Sequence, residues 1–401
     1  MSELSYLEKL LDGVEVKWLP LGHIAAIKTG QSVNKNMISK NPGVYPVINS
    51  GREPLGFINT WNTDNDPIGI TTRGAGVGSV IWQEGKYFRG NLNYSITIDK
   101  KSHINIRYMY HALLHMKNDI HELCTFDGIP ALNAGSLKKL LIPIPCPNIP
   151  EKSLAIQSEI VRILDKFTAL TAELTAELTM RKKQYNYYRD QLLSFEQGEV
   201  EWKMLGEIAK IQRGASPRPI AQYMTDADDG IPWIKIGDTS PGSKYINGTA
   251  QKVTPDGAKK SRILNPGDFV ISNSMSFGRP YILSITGAIH DGWASISDFS
   301  ERLDSDYLYH YLSSQRVKNY WGSKINSGSV SNLNADIIKT LPLPLPDIQK
   351  QKWIATLLDK FDTLTSSISE GIPREIELRQ KQYEYYRDLL FSFPRPETAS
   401  N

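Results

Sequence analysis

Apolar side chains recur every seven positions along two long segments of the chain. Seven-residue spacing is the pattern of coiled-coil helices, and a shift of four positions within such a series is a stutter. Each segment therefore predicts a helix of roughly 60 Å, at about 1.5 Å per residue. The first series is Ile160, Phe167 and Leu174, then Leu178, Tyr185 and Leu192; the second is Ile354, Phe361 and Ile368, then Ile376, Tyr383 and Leu390.

Two features modify these helices. The first helix contains Thr-Ala-Glu-Leu twice, at 171–174 and 175–178. One copy adds about 6 Å of helix and keeps leucine on nearly the same face, which predicts a spacer of adjustable length. In the second helix, Gly371 and Pro373 predict a kink or break. Each helix could pack on its own preceding block, but two matching helices in one chain favour pairing with each other.

The stretch before each helix has a mixed pattern. Short runs rich in β-branched and aromatic residues, bounded by Gly, Asn and Asp, predict strands. These runs are residues 45–48, 68–71, 80–82, 233–236 and 269–271, and helices are predicted around 108–116 and 307–317. Proline pairs around Pro143 and Pro342 predict extended connectors, because proline can neither continue a helix nor serve a central strand.

The chain contains two copies of one sequence unit. Six motifs of the first half return in the second half in the same order, which predicts an internal pseudo-twofold repeat. The segments between the first and second motifs differ in length and share little sequence. The organisation is therefore variable block, helical block, variable block, helical block. The matched motifs are residues 21–30 with 205–214, 108–113 with 307–312, 132–134 with 333–335, 142–145 with 341–344, 164–167 with 358–361, and 184–190 with 382–388.

Composition indicates a folded, multidomain protein. The length of 401 residues exceeds one ordinary domain, and 40% hydrophobic with 22% charged residues argue against disorder. Neither a membrane-spanning run nor a signal peptide is recognisable. The only two cysteines, Cys124 and Cys146, exclude a disulfide framework and a thiolate zinc site, and favour the cytoplasm. The net charge of +3 identifies no partner, so DNA binding would need local patches or other subunits.

Motifs for catalysis are incomplete wherever they begin. Residues 74–78 resemble a phosphate loop, but Ser79 stands where glycine is required, which favours a turn between strands. His111 and His115 have the spacing of a metal pair. However, His310 matches His111 and has no such companion, so a packing or hydrogen-bonding histidine is favoured. Catalysis by this chain alone is not expected.

The repeated signatures resemble one family specifically. Leu-Asp-Lys-Phe at 164–167 and 358–361, and Gln-Tyr-x-Tyr-Tyr-Arg-Asp at 184–190 and 382–388, are joined by the doubled Thr-Ala-Glu-Leu and by residues 371–388. Together they resemble the DNA specificity subunit of type I restriction-modification enzymes, most closely its IC subclass. The resemblance is near identity of motif at 151–205 and 347–395, and architectural in the variable blocks.

The resemblance implies an α+β fold of two globular mixed α/β target recognition domains separated by two long antiparallel coiled-coil helices. The implied boundaries are recognition domain 1 at 1–150, a central helical spacer at 151–195, recognition domain 2 at 196–346, a distal helical spacer at 347–395 and a tail at 396–401. Each domain would read one half of a split, asymmetric sequence in double-stranded DNA, and the helices would set the gap.

The family also implies partners that perform the chemistry. Two modification subunits would carry S-adenosylmethionine and methylate adenine at N6. Two restriction subunits would add translocation and cleavage, driven by ATP with Mg²⁺. The chain itself would bind no metal or cofactor and would be non-catalytic.

Residues that contact DNA are sought by side-chain chemistry, because Arg, Lys, Asn and Gln favour base readout, and Arg, Lys, Ser and Thr favour backbone contacts. In the first block the candidates lie in glycine-punctuated loops. The candidates are Asn49, Ser50, Arg52, Thr72 and Arg73 in the first block, and Lys259, Lys260, Arg262, Ser272, Asn273, Ser274 and Arg279 in the second. Each could also be an ordinary surface or turn residue.

A second group of candidates belongs to the helices. The residues expected to form the spacer and the subunit-docking surface are Phe167, Leu174, Leu178, Tyr185, Tyr188, Phe361, Tyr383 and Tyr386. For the tyrosines, packing in the coiled coil and against a modification subunit is favoured over base stacking.

Two other functions remain open from the sequence. A coiled-coil scaffold for protein interactions would show no sequence-specific DNA affinity in any complex. A stand-alone nuclease or methyltransferase is disfavoured, since residues 41–44 miss the Asn/Asp-Pro-Pro-aromatic motif of amine methyltransferases at two positions.

Overall fold

A computed structural model describes residues 6–11, 13–51, 53–196, 198–240, 242–273, 278–299, 301–326, 333–367 and 369–395. The chain forms two compact units. Unit 1 consists of the residues up to 171 together with the C-terminal segment from 379 onward, and unit 2 consists of residues 172–378. The end of the second repeat therefore folds with the first repeat.

Unit 1 is built from short strands and short helices. Its strands are β1 (Val16–Pro20), β2 (Ala25–Thr29), β3 (Pro42–Ile48), β4 (Phe57–Ile58), β5 (Thr63–Asp64), β6 (Ile68–Thr71), β7 (Val80–Trp82), β8 (Lys86–Arg89), β9 (Asn93–Ile98), β10 (Cys124–Thr125), β11 (Ala131–Leu132) and β12 (Leu141–Pro145). Its helices are α1 (Tyr6–Leu11), α2 (Leu21–Ile24), α3 (Lys35–Lys40), α4 (Ile106–His115), α5 (Lys117–Glu122) and α6 (Ala134–Leu137), with a 3₁₀ turn at Lys100–Ser102.

The strands of unit 1 form two four-stranded sheets, β2-β9-β6-β7 and β4-β3-β8-β5, and the pairs β1-β12 and β10-β11. Strand β6 lies between β9 and β7, and its Ile68 and Ile70 are fully buried, as is Ile96 of β9. β-Branched side chains suit such pleated, buried positions. The strands predicted at 45–48, 68–71 and 80–82 are confirmed, and residues 74–78 form the predicted turn between β6 and β7.

The proline-rich connectors are extended, as predicted. Among the described strands, β12 pairs with β1 alone, in antiparallel register with Trp18 opposite Pro143. A two-stranded ribbon tolerates proline because one side of each strand needs no ladder hydrogen bond. The Pro143 carbonyl accepts a hydrogen bond from the buried Tyr108 hydroxyl (2.7 Å), which ties the connector to α4.

One long helix, α7 (Pro150–Leu192), begins in unit 1 and ends in unit 2. Its 43 residues correspond to roughly 65 Å. The doubled Thr-Ala-Glu-Leu lies at 171–178, and Leu174 and Leu178 are half-buried there.

Unit 2 repeats the architecture with different strand lengths. Its strands are β13 (Glu201–Met204), β14 (Lys210–Arg213), β15 (Met224–Thr225), β16 (Ile231–Ile234), β17 (Tyr245–Ile246), β18 (Lys252–Val253), β19 (Arg262–Leu264), β20 (Phe269–Ser272), β21 (Pro280–Leu283), β22 (Gly287–Ile289), β23 (Trp293–Ser297) and β24 (Pro342–Leu345). Its first helices are α8 (Leu205–Ile208), α9 (Pro255–Lys259), α10 (Ser305–Leu312), α11 (Gln315–Asn326) and α12 (Ala335–Lys339), with 3₁₀ turns at Ile220–Gln222 and Ile236–Asp238.

Two five-stranded sheets, β14-β23-β20-β21-β17 and β15-β18-β16-β22-β19, form the body of unit 2, and β24 pairs with β13. The strand predicted at 269–271 is confirmed as part of β20, whereas the one predicted at 233–236 ends at Ile234 and passes into a 3₁₀ turn. The helix predicted at 307–317 is confirmed as far as Leu312, but it is not continuous to residue 317. It divides into α10 and α11 because the buried Ser314 accepts a hydrogen bond from the Val317 N–H (3.4 Å), as a residue at a helix start does.

The last helical segment is interrupted, as Pro373 predicted. Helix α13 (Ile348–Ser366) ends before Gly371, which has φ +83°, and α14 (Ile372–Leu390) begins immediately after it. Of the heptad positions, Ile354, Tyr383 and Leu390 are buried and Phe361 and Ile376 are half-buried, while Ile368 lies outside the described residues. Among the helices within the described ranges, none combines the length and apolarity needed to cross a bilayer.

Candidate DNA interface and helical frame

Four loops of unit 1 are tied together by hydrogen bonds. The Thr72 N–H donates to the Leu92 carbonyl and the Leu132 N–H donates to the Thr72 carbonyl, both at 2.9 Å. The Asn49 Oδ1 accepts from the Leu92 N–H at 2.9 Å. The Gly74 N–H donates to the carbonyl of Pro130 at 2.9 Å. The loops that follow β3 and β6, the turn between β8 and β9, and the loop between β10 and β11 are therefore joined to one another.

The first-block candidates divide into buried and exposed residues. Asn49 and Thr72 are only 9% and 8% exposed, and they support the loops from inside. Ser50 and Arg73 are exposed, and the Arg73 backbone bridges to Ala131. Burial argues against direct base readout by Asn49 and Thr72, which leaves Ser50 and Arg73 at the surface. Arg52 lies outside the described residues.

Three basic candidates of unit 2 lie at the end of α9 and the start of β19. Lys259 pairs with Asp256 at 2.9 Å, and both side chains are exposed. The Lys260 ammonium lies 4.6 Å from the Tyr223 ring centroid and donates to the hydroxyl of that tyrosine. Arg262 is exposed at the edge of its sheet. Exposed ion pairs are weak, so these cations remain available to a polyanion.

The remaining candidates of unit 2 belong to the other sheet, where β20 ends and β21 begins. Ser272 is fully buried, which argues against a direct contact with DNA. The side-chain oxygen of the half-buried Asn273 has no hydrogen-bond partner within the described ranges. The Arg279 guanidinium lies 5.2 Å from the Tyr281 ring centroid. Ser274 lies outside the described residues. The structure therefore separates the second-block candidates into two groups.

Sequence reasoning missed a basic segment beside Asn273. The Asn273 N–H donates to the Gly292 carbonyl at 3.2 Å. Asp291, the residue before Gly292, contacts two side chains of the segment that follows β14. The Ser216 hydroxyl lies 2.9 Å from Asp291 Oδ1, and the Arg218 guanidinium lies 3.3 Å from Asp291 Oδ2. Arg218 is 82% exposed, so most of its guanidinium faces solvent.

The glycine that is repeated as Gly30 and Gly214 is the sequence feature that could have indicated the segment after β14. A Cβ added to Gly214 would lie 2.1 Å from the His290 carbonyl oxygen, and one added to Gly30 would lie 2.3 Å from the Gly90 carbonyl oxygen. In both units, only glycine lets the chain after the strand approach a neighbouring turn this closely. Gly30 and Gly214 therefore occupy equivalent places in the two units.

In unit 1 a buried histidine joins three elements. His111 of α4 lies 2.9 Å from the Tyr383 hydroxyl through Nδ1, and 2.8 Å from Asp165 Oδ1 through Nε2. Because a carboxylate only accepts, the Nε2–H donates to Asp165 and Nδ1 accepts from the tyrosine. Arg107 completes the site through an ion pair with Asp165.

Unit 2 contains the same network with residues of the other repeat. His310 Nε2 lies 2.8 Å from Asp359 Oδ1, and His310 Nδ1 lies 3.0 Å from the Tyr185 hydroxyl. His310 is fully buried, as His111 is. Each histidine therefore binds the aspartate of its own repeat and the tyrosine of the other repeat. The interpretation of His111 as a hydrogen-bonding residue is confirmed.

The electrostatics of the network favour a neutral histidine and an ionised aspartate in unit 1. Burial lowers the pKa of His111, although the hydrogen bond to Asp165 opposes this. Burial by itself would raise the pKa of Asp165, but hydrogen bonds from Arg107 and His111 outweigh it, and this pKa lies below its usual range. Burial raises the pKa of Tyr383, so its hydroxyl remains a donor.

The spacing of His111 and His115 does not produce a metal site. His115 Nδ1 lies 2.9 Å from Asp388, and its ring stacks on Phe391 at 5.6 Å. Both nitrogens of His111 are occupied by Asp165 and Tyr383. Across the described ranges, no cluster of three or more His, Cys, Asp and Glu is placed to hold a metal ion.

The helices α7, α13 and α14, called the helical frame below, contact one another through stacked aromatic rings in each unit. In unit 1, Phe167 of α7 stacks on Tyr386 of α14 at 5.2 Å. In unit 2, Tyr188 of α7 stacks on Phe361 of α13 at 5.6 Å, and Tyr185 lies 6.3 Å from the same ring. The earlier part of α7 therefore contacts the later helix and the later part contacts the earlier helix, as antiparallel pairing requires. These rings therefore contact one another between the helices, and their packing against a modification subunit stays a prediction.

Comparisons with known proteins agree with this architecture. Residues 13–180 and 198–378 match the family model described as type I restriction modification DNA specificity domain. The chain is 41% identical to the type I restriction enzyme EcoR124I/EcoR124II specificity subunit of Escherichia coli, over 100% of both chains. It is 33% identical to the EcoprrI specificity subunit of Escherichia coli, over 92% of this chain and 93% of that one.

A solved structure shares the fold. The type I restriction-modification S subunit from M. genitalium superposes with a TM-score of 0.59 at 18% identity, covering 98% of this chain and 99% of that one. The duplicated match, the two relatives and the shared fold establish the class of protein. The chain belongs to the type I restriction-modification DNA specificity family, whose members are the non-catalytic specificity subunits of these complexes.

Proposed function

We propose that each unit reads one half of a split, asymmetric DNA sequence and that the helical frame sets the number of base pairs between the halves. The observation that carries this proposal is that the two units share one scaffold but have different loops. Unit 1 presents Arg73 on its joined loops, whereas unit 2 presents Arg218 and Arg279 beside Asn273. Two similar domains with different surface side chains select two different half-sequences.

The candidate readers in this proposal are polar and basic residues, and those that the structure describes are exposed or half-buried. Arginine forms bidentate hydrogen bonds to guanine, and asparagine forms them to adenine, in the major groove. The Asn273 oxygen without a partner in the described ranges suits such a role. The proposed set is Ser50, Arg52 and Arg73 for one half, and Arg218, Asn273, Ser274 and Arg279, with Lys259, Lys260 and Arg262 on the phosphate backbone, for the other.

The partners in the proposal are two modification subunits and two restriction subunits, in a complex of the IC subclass. Two tyrosines of the helices support docking there, because Tyr187 and Tyr385 occupy matching repeat positions and are 61% and 65% exposed. Exposed aromatic residues are enriched in protein interfaces. S-adenosylmethionine, ATP and Mg²⁺ would be bound by these partners, and the complex would act in the cytoplasm to methylate the host DNA and cleave foreign DNA.

Competition binding tests the proposal against a scaffold function. The full chain is assembled with its modification subunit, and labelled fragments of the host genome are selected by binding in the presence of excess random DNA. We expect retained fragments to share one split sequence, and substitution of either half to abolish retention. Equal retention of all fragments would support the interaction scaffold instead.

A further inference from the structure

The two buried histidine networks differ in the source of their cation. In unit 1 the cation is Arg107 of α4, whose Nε lies 3.2 Å from Asp165 Oδ2. Its guanidinium also lies 5.0 Å from the ring centroid of Tyr110, which is one turn further along α4. One residue in the repeated helix therefore neutralises the Asp165 carboxylate and covers the Tyr110 ring.

The second repeat has an acid where the first has this arginine. Tyr108 matches Tyr307, so Arg107 corresponds to Asp306. Asp359, the counterpart of Asp165, contacts His310. The carboxylates of Asp306 and Asp359 both contact one cation, the Lys244 ammonium. Two carboxylates in one half-buried site repel each other unless a cation lies between them.

Lys244 supplies that cation from the variable block. Its Nζ lies 2.7 Å from Asp306 Oδ1 and 2.6 Å from Asp359 Oδ1. It also lies 5.0 Å from the ring centroid of Tyr309, the residue that matches Tyr110. The positive charge therefore contacts the same two repeat positions as in unit 1, but comes from a different part of the chain.

The contacts around Lys244 hold both its side chain and its loop in place. Its side chain is 9% exposed, and its two carboxylate partners raise its pKa although burial opposes this. The Lys244 carbonyl accepts a hydrogen bond from the Ile282 N–H of β21 at 3.0 Å. A Cβ added to Gly242 (φ +83°) would lie 3.0 Å from the Ser366 carbonyl oxygen of α13, so this loop lies close against the helix.

Lys244 thus connects the recognition sheet to the helical frame. Strand β17 begins at Tyr245 and pairs with β21, which follows Arg279 and pairs with β20. The same sheet therefore carries Lys244 at one edge and Asn273 and Arg279 at the ends of its neighbouring strands. A displacement of the lysine would be transmitted through two strand pairs to these side chains.

We propose that Lys244 is a positioning residue that fixes the second recognition unit on the helical frame. It replaces, from within the variable block, the arginine that the first repeat carries in its repeated helix α4. The consequence is a matched pair: a variable block without this lysine requires arginine at position 306. The inference rests on the proposed function for its effect on DNA reading, but its electrostatic part stands independently.

A set of variants in the full chain tests the inference. Lys244→Gln leaves two carboxylates without their cation, and we expect it to lower the melting temperature by roughly 5 °C. Adding Asp306→Asn should recover part of this loss, and adding Asp306→Arg should recover most of it by restoring the arrangement of unit 1. Lys210→Gln is the matched control, because Lys210 of β14 forms an ion pair with Asp298 in which both side chains are exposed.

A second readout distinguishes positioning from simple stabilisation. The same variants are assembled with the modification subunit, and their methylated sequences are mapped. We expect Lys244→Gln to relax the half-sequence read by unit 2 while the other half remains unchanged, and Asp306→Arg to restore it. Unchanged stability of Lys244→Gln, no recovery by Asp306→Arg, or equal relaxation of both halves would each overturn the inference. If even the wild-type complex methylates no split sequence, the proposed function fails, while the melting series still tests the charge cluster.

Discussion

The hydroxyl of Tyr383 donates a hydrogen bond to Nδ1 of the buried His111 at 2.9 Å, although the two residues lie 272 positions apart. The counterpart is the Tyr185 hydroxyl at His310 Nδ1, at 3.0 Å. The signature Gln-Tyr-x-Tyr-Tyr-Arg-Asp of each repeat therefore completes the unit that contains the histidine of the other repeat. The family signature is explained by this exchange, because its first tyrosine satisfies a buried acceptor.

Removal of that hydroxyl should destabilise unit 1. Tyr383→Phe keeps the ring but leaves His111 Nδ1 buried without a donor, at a cost of about 1–2 kcal/mol. Tyr185→Phe should have a similar effect on unit 2. Thermal unfolding of the full chain measures both, with Tyr385→Phe as the control because Tyr385 is 65% exposed. A Tyr383→Phe protein as stable as the control would contradict the assigned network.

Acidification should destabilise the same network in a defined order. The folded pKa of His111 is lowered, so below its ordinary value near 6.5 the unfolded chain binds a proton that the folded chain does not. Stability is therefore lost as pH falls through this range. The lowered pKa values of Asp165 and Asp359 add a further loss below their ordinary value near 3.8.

The pH effect is measured as melting temperature between pH 8 and pH 5. His111→Gln keeps polar character at the site and removes the titrating group, so its curve should be flatter than the wild-type curve in this range. Parallel curves for the two proteins would show that His111 does not carry the dependence.

Insertion of a further Thr-Ala-Glu-Leu after Leu178 should lengthen α7 by about 6 Å and keep leucine on nearly the same face. At about 3.4 Å per base pair, we expect the gap of the methylated sequence to increase by one or two base pairs, with both halves unchanged. Insertion of two residues is the control, since it rotates the following leucines by about 200° and should abolish methylation. An unchanged gap after the four-residue insertion would contradict a spacer role for the helix.

Loss of one surface arginine should affect one half-sequence. Arg73→Ala should weaken discrimination at the half read by unit 1, and Arg218→Ala at the half read by unit 2, by about 1–3 kcal/mol if the arginine contacts a base. An arginine that contacts phosphate would instead weaken binding to all sequences and reduce the salt dependence of binding. Binding constants for single-base variants of each half, at two salt concentrations, separate these outcomes. An unchanged constant for either variant would remove that arginine from the interface.

The helical frame could be predicted from the sequence because its signal is periodic. Ile160, Tyr185 and Ile354 lie at heptad positions and are buried, and the break at Gly371 follows from backbone chemistry. Periodicity identifies the buried face but not the partner of that face. It therefore could not show that Tyr383 completes the first unit.

The recognition surface was less predictable because loop residues have no periodic pattern. Asn49 and Ser272 share their chemistry with DNA-reading residues, yet the fold buries them as supports. Lys244 lies outside every repeated motif, so nothing in the sequence pairs it with Asp306. Arg218 could have been found from its position after Gly214, which matches Gly30.

The central claim is that the two units read two different half-sequences at a fixed gap. The measurement that tests it most directly is adenine methylation mapped at single-base resolution across a genome, in cells with the modification subunit and with or without this chain. We expect a single split sequence that appears only with the chain, and exchange of one variable block should change only one half. No chain-dependent methylation, in cells where the modification subunit is active beside another specificity chain, would contradict the claim.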